Sequence, residues 1–133
     1  MTDREILYHE DDGIHHIILN RPEKRNALSI SMLDAISSYI VKINASEISK
    51  AIIISSNGSI FSAGADLHQM KSHPQEMTSA LLNLVDVLEK NQLPINVVIE
   101  NDVFAGAHIL ITSAHSAMVL KDVHFTLPEV KRG

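Results

Sequence analysis

The sequence predicts an α/β fold in which strands alternate with helices and the crossovers are right-handed. Three features carry this reading. Strand-like and helix-like segments alternate along the chain. The runs AIIIS at 51–55 and INVVIE at 95–100 are short and apolar, as expected of buried strands. One unit also recurs, an apolar strand followed by a small-residue loop and a helix, at Ala51–Leu67 and again at Ile95–Ala114. A spiral of such units explains the repeat.

In chain order, residues 4–20 read as a hairpin. Glu5–Tyr8 is one strand, Asp11-Asp12-Gly13 the turn and Ile14–Asn20 the second strand. RPEKRN at 21–26 is a polar, proline-marked loop. A helix follows, with Ser29 or Ser31 at its cap and Leu33, Ile36, Ile40 and Ile43 on one face. After the strand at 51–55 and the turn Asn57-Gly58 comes IFSAGADLHQM at 60–70, which has no bulky side chain between Phe61 and Leu67. Asp66 is placed to cap a short helix to about Lys71, ended by His73-Pro74. A longer helix is expected from about Thr78 to Lys90, with Leu81, Leu84, Val85 and Leu88 as its apolar stripe and Pro94 beyond its end. The strand at 95–100 leads to a second small-residue loop, VFAGA at 103–107, and an apolar helix from about Gly106 to Ala114. Short strands at 118–120 and 124–126 precede the closing LPEVKRG at 127–133. No linker or low-complexity segment interrupts the chain, so residues 1–133 are expected to form one domain.

Composition narrows the function. With 45% apolar and 20% charged residues, the 133-residue chain is of globular type. A net charge of −5 argues against a nucleic-acid or anionic-membrane surface, which needs a basic patch. The absence of cysteine removes disulfides, thiolate nucleophiles and Cys-ligated metals, and a reducing cytoplasm fits. The N-terminal segment lacks the apolar core of a signal peptide, and no apolar run approaches the roughly 20 residues that span a bilayer.

The two small-residue loops are where chemistry is expected. Main-chain N–H groups at the start of a helix lack intrahelical partners, and small side chains let a ligand reach them. Two such loops side by side in one sheet would aim two N–H donors at a single carbonyl oxygen and stabilise it as an enolate. Packing turns would look the same in sequence. Glu129, after Pro128 and just beyond an apolar strand, is the best-placed proton carrier, although a surface glutamate has the same signature. The eight histidines do not have metal-site spacing: His15 and His16 alternate faces, and His108 and His115 share a face with no carboxylate between them. No metal site is expected.

Four stretches together resemble the crotonase, or enoyl-CoA hydratase/isomerase, superfamily: ILNRPEKRNALS at 18–29, FSAGADL at 61–67, NDVFAGAHIL at 101–110 and FTLPEVKRG at 125–133. Their order and spacing agree with the family along essentially the whole chain. The resemblance implies a ClpP/crotonase-like spiral of ββα units. It implies an acyl-CoA thioester as substrate, with no permanently bound cofactor. It places the thioester oxygen between the N–H groups of Ala65 and Ala107, and coenzyme A along Lys24, Arg25, Ala27, Ser62, Ala63, Gly64, Asp66 and Leu67. Gly106, His108 and Leu110 would border the acyl pocket, and Glu129 would be the acid/base.

Departures from the family pattern shape the expected activity. Hydratases of the family use two glutamates; here one position holds Glu129 and the other Leu110. One carboxylate suits a proton shuttle between two carbons, so double-bond isomerisation is favoured over hydration. The glycine run of the second loop is reduced to Gly106-Ala107-His108, where the histidine is either a new acid/base or a crowding group. Family members continue well past position 133, with helices that cover the acyl pocket and build a homotrimer or hexamer. A chain without those helices would be a fragment, a shortened gene product or a domain completed by another chain. A non-catalytic relic that still binds coenzyme A, or associates with full-length relatives, is the alternative to an enzyme.

Overall fold

A computed structural model describes residues 4–58, 60–99, 102–104, 116–119 and 125–126. Strand β1 (Ile6–Asp11) turns back on β2 (Ile14–Leu19) as an antiparallel hairpin in the register Ile6↔Leu19 to Asp11↔Ile14. Its two-residue loop has positive φ at both Asp12 and Gly13, the backbone that matches the twist of a hairpin. Gly13 is required there twice over, because a Cβ would also sit 2.8 Å from the Ile48 carbonyl oxygen.

Helix α1 (Ile30–Ala45) starts at Ser29, whose hydroxyl accepts from the Met32 N–H at 3.1 Å. Of the two serines expected as caps, Ser29 is the one used. The chain then enters β3 (Ala51–Ser56), β4 (Ile60–Ser62), α2 (Leu67–Ser72), α3 (Pro74–Lys90), β5 (Ile95–Ile99), β6 (Asp102–Phe104), β7 (Ser116–Val119) and β8 (Phe125–Thr126).

These strands form two sheets. One has the order β1-β2-β3-β5-β7, parallel from β2 onward; the other is β4-β6-β8, all parallel. Each of the pairs β3–β4, β5–β6 and β7–β8 therefore gives one strand to each sheet. The strands of the repeat expected from the sequence are present in this form, with β7–β8 as a third pair; the helix expected from about Gly106 to Ala114 lies outside the described residues. β4 and β6 were expected to be loop; three residues are too few to show a period.

The larger sheet carries a continuous buried face. Ile17, Leu19, Ile52, Ile54, Ile95 and Val97 lie on it in register and are fully covered. Helices α1 and α3 supply the rest of that core through Met32, Leu33, Ile36, Ile40, Met77, Leu84 and Leu88. Burying each such side chain is worth about 1.5–3 kcal/mol. α3 begins at Pro74, four residues before the expected start. Proline fits the first turn of a helix, where its missing N–H has no partner to lose. The same Pro74 closes α2, as expected from His73-Pro74.

Candidate functional site

The site is built where the segment after β2 meets the segment after β4. After Leu19 the chain makes a single tight turn at Pro22–Lys24, then two consecutive left-handed residues, Arg25 (φ 53°) and Asn26 (φ 55°). Asparagine tolerates this backbone better than most residues. Asn26 is also fully buried and holds the turn together. Its Oδ1 accepts from the Arg21 N–H at 2.7 Å, and its Nδ2 donates to the carbonyls of Asn57 (2.6 Å) and Ile60 (2.9 Å).

The two segments are zipped together by main-chain bonds. Ala63 N–H donates to the Arg25 carbonyl at 2.9 Å, Leu28 N–H to the Gly64 carbonyl at 2.7 Å, and Asp66 N–H to the Leu28 carbonyl at 2.9 Å. The last two make Leu28 and Ala65 an isolated parallel bridge. In a parallel bridge the residue flanked by both bonds uses neither of its own polar groups in it. The Ala65 N–H therefore points away from Leu28, and it has no hydrogen-bond partner among the described residues. Gly64 reaches this arrangement with φ 92°, a backbone that favours glycine.

A cavity of about 450 Å³ opens at this point. Ala27, Ala63 and Ala65 give it small-side-chain walls, and Arg21, Lys24, Arg25, Asp66, Leu67 and His68 also line it. Lys24 and Arg25 are exposed and make no ion pair among the described residues. Leu67 is 73% exposed, an apolar surface in the lining of the same cavity.

Asp66 is the N-cap of α2, as expected: its Oδ1 accepts from the Gln69 N–H at 3.0 Å. Its Oδ2 meets Arg21 Nη1 at 2.7 Å. Burial alone would push this carboxyl up. The Gln69 amide, the Arg21 guanidinium and the His68 amide together outweigh that and hold it below its ordinary value. The helix's own first amides thus serve Asp66, and the unengaged donor is one residue earlier, at Ala65.

Of the residues expected along the ligand, Lys24, Arg25, Ala27, Ala63, Ala65, Asp66 and Leu67 surround this one cavity. Ser62 and Gly64 are buried behind it. The Ser62 hydroxyl donates to the Asn26 carbonyl at 2.8 Å and accepts from the Gly64 N–H at 3.1 Å, so these two residues shape the loop. Gly106, Ala107, His108, Leu110 and Glu129 lie outside the described residues. Sequence reasoning missed Arg21 and Asn26. Both were visible only as polar letters in a loop, and Arg21 finds Asp66 across 45 residues. It also missed the cross-strand partner of His9, whose ring stacks on that of His16 with centroids 4.3 Å apart. Among the described residues no group of three or more metal-ligating side chains converges, and no helix is long and apolar enough to cross a membrane.

The family described as enoyl-CoA hydratase/isomerase matches residues 9–133. The chain belongs to the enoyl-CoA hydratase/isomerase family. Within it, the chain is 30% identical over 129 residues to the mitochondrial enoyl-CoA hydratase domain-containing protein 3 of Rattus norvegicus, covering 93% of this chain and 43% of that protein. It is also 30% identical over 129 residues to the trans-2-decenoyl-acyl-carrier-protein isomerase of Streptococcus mutans, covering 92% of this chain and 49% of that protein. The crystal structure of human enoyl Coenzyme A hydratase domain-containing protein 3 superposes with a TM-score of 0.87 at 28% identity, over 98% of this chain and 53% of that one. The crotonase-type α/β fold expected from the sequence is thus the fold observed. The chain spans about half the length of the curated relatives it matches.

Proposed function

We propose that this enoyl-CoA hydratase/isomerase family chain binds an acyl thioester of coenzyme A and isomerises its double bond. The thioester oxygen accepts from the N–H groups of Ala65 and Ala107, and the Glu129 carboxylate takes a proton from one carbon of the acyl chain and returns it to another. Between the two transfers the negative charge sits on the thioester oxygen as an enolate. Donors fixed in advance at that oxygen stabilise the enolate more than the ground state, because they need no reorganisation when the charge develops. A single carboxylate is sufficient for this shuttle, since no water has to be oriented.

The observation that supports the proposal is Ala65, which lines the cavity and whose N–H, turned away from Leu28 by the bridge, is bonded to nothing among the described residues. Lys24 and Arg25 supply positive charge at the same cavity for the phosphates of the carrier. The relative named as an acyl-carrier-protein isomerase suggests the same chemistry on a thioester with a different carrier.

Calorimetric titration of the chain with an enoyl-CoA, beside free coenzyme A, tests the binding step. An absorbance assay for movement of the double bond tests the chemistry. Tighter binding of the thioester than of free coenzyme A, with slow isomerisation lost in Glu129→Gln, is the expected pair of results. Equal turnover in Glu129→Gln removes the proposed acid/base. Binding without turnover in the unaltered chain favours the non-catalytic alternative.

A further inference from the structure

We propose that Arg21 is a positioning residue: its guanidinium clamps both sides of the Leu28–Ala65 bridge and so fixes the direction of the Ala65 N–H. The meaning of this for catalysis rests on the oxyanion reading above; the clamp itself does not. One nitrogen, Nη1, donates to the Ala27 carbonyl at 3.0 Å and to Asp66 Oδ2 at 2.7 Å. Ala27 immediately precedes Leu28, and Asp66 immediately follows Ala65. A single donor group therefore ties together the flanks of the bridge.

The clamp extends to both helix starts. Arg21 Nε lies 3.2 Å from Glu5 Oε2, and Glu5 Oε1 accepts from the hydroxyls of Ser29 and Ser31, each at 2.7 Å. Ser29 caps α1 and Asp66 caps α2. Gln69, in the first turn of α2, adds a parallel link by accepting from the Ile30 N–H at 2.7 Å. The planar guanidinium satisfies acceptors in three directions at once, which a lysine ammonium on a flexible stem does not reproduce.

Arg21 lines the cavity, so the competing assignment is that it grips an anionic ligand directly. Its surroundings argue against this. The Arg21 side chain is only 13% exposed and already faces two carboxylates, Glu5 and Asp66. An incoming phosphate would add a third negative charge there, whereas Lys24 and Arg25 stand exposed at the same cavity with no carboxylate paired to them among the described residues.

Amide hydrogen exchange by NMR on the free 133-residue chain decides between the two roles. The Leu28 and residue-66 amides are the two donors of the bridge, and the amide of the buried Ile52, bonded to the Pro94 carbonyl, is the reference. In Arg21→Lys the two bridge amides are expected to exchange at least about tenfold faster while Ile52 is unchanged, the scale for losing a charge-assisted hydrogen bond. Asp66→Asn keeps a capping oxygen and is expected to accelerate the same two amides by a smaller factor. If Arg21→Lys accelerates Ile52 as well, the whole chain has loosened, and the bridge amides of Asp66→Asn then become the deciding measurement. Unchanged bridge amides in both variants overturn the proposal.

A ligand arm separates positioning from direct contact. Loss of enoyl-CoA affinity in Arg21→Lys by the same factor at low and high salt, with an altered thioester carbonyl stretch in the infrared, supports positioning. A loss that salt abolishes, as expected for Lys24→Ala, supports direct contact and overturns it. If the unaltered chain binds no enoyl-CoA, the oxyanion reading fails, and the exchange measurements still decide what Arg21 does.

Discussion

Leu28 and Ala65 pair as one parallel bridge outside both sheets, a pairing that turns the Ala65 N–H away from Leu28 in a residue that lines the cavity. The bonds of the bridge run from the Leu28 and Asp66 amides, so the Ala65 N–H can be removed without removing any of them. Ala65→Pro therefore loses the donor without removing a bond of the bridge. Losing one oxyanion donor costs about 3 kcal/mol of barrier, so the proposed double-bond isomerisation should slow by roughly a hundredfold or more. Thermal melting checks the fold and the absorbance assay checks the rate. Full activity in Ala65→Pro with an unchanged melt would put the thioester oxygen somewhere else.

Asn26 is the keystone of the turn that faces this bridge. Asn26→Ala leaves the Arg21 N–H and the carbonyls of Asn57 and Ile60 without their partners and keeps a left-handed backbone at φ 55°. Three lost hydrogen bonds at about 1 kcal/mol each, with about 1 kcal/mol of backbone strain, give an expected destabilisation of about 4 kcal/mol. Asn26→Gly should recover about the strain component, because glycine has no Cβ to oppose positive φ. Urea unfolding of the two variants measures both parts. Equal losses in Ala and Gly would show that the backbone contributes nothing.

The contrast between Asp66 and Arg21 shows what was legible in the sequence. An aspartate after a small-residue loop and before a helical stretch is a local cap signal, and Asp66 is that cap. Ser29 was readable for the same reason. Arg21 carries no local signal, since its partners Glu5 and Asp66 lie in segments brought together only by the fold. The buried strands at 51–56 and 95–99 were legible from their isoleucines and valines, whereas β4 and β6, three residues each, were not. The small residues at 63 and 65 are explained twice over: they wall the cavity, and they let the 62–66 segment lie against 25–28.

Asp66 should leave a mark on acid stability. Its carboxyl is held below its ordinary value of 3.8, so the folded chain binds a proton there less readily than the unfolded chain does. Stability from this group is complete above the unfolded value and is lost as pH falls through the depressed folded value. The melting temperature of the unaltered chain should exceed that of Asp66→Asn at pH 6, and the gap should narrow as the pH is lowered through about 4 and below. Melting curves of both proteins across that range test it. A gap that is constant with pH would assign the effect to hydrogen bonding that does not depend on charge.

His16, stacked on His9, titrates on the opposite limb. Burial, then the neighbouring charges of His9 and His15, lower the His16 pKa below 6.5, and Asp11 only partly opposes them. The folded chain therefore binds fewer protons at His16 than the unfolded chain near pH 6, and stability rises with pH through that window. Below the folded value the full penalty of charging His16 is present. The ring-proton NMR titration of His16 is expected to have its midpoint below 6.5. His9→Gln removes a positive neighbour and uncovers one ring face to water, so it should move that midpoint upward. A midpoint that stays in place in His9→Gln would mean that the stack across β1 and β2, centroid to centroid at 4.3 Å, does not couple the two rings electrostatically.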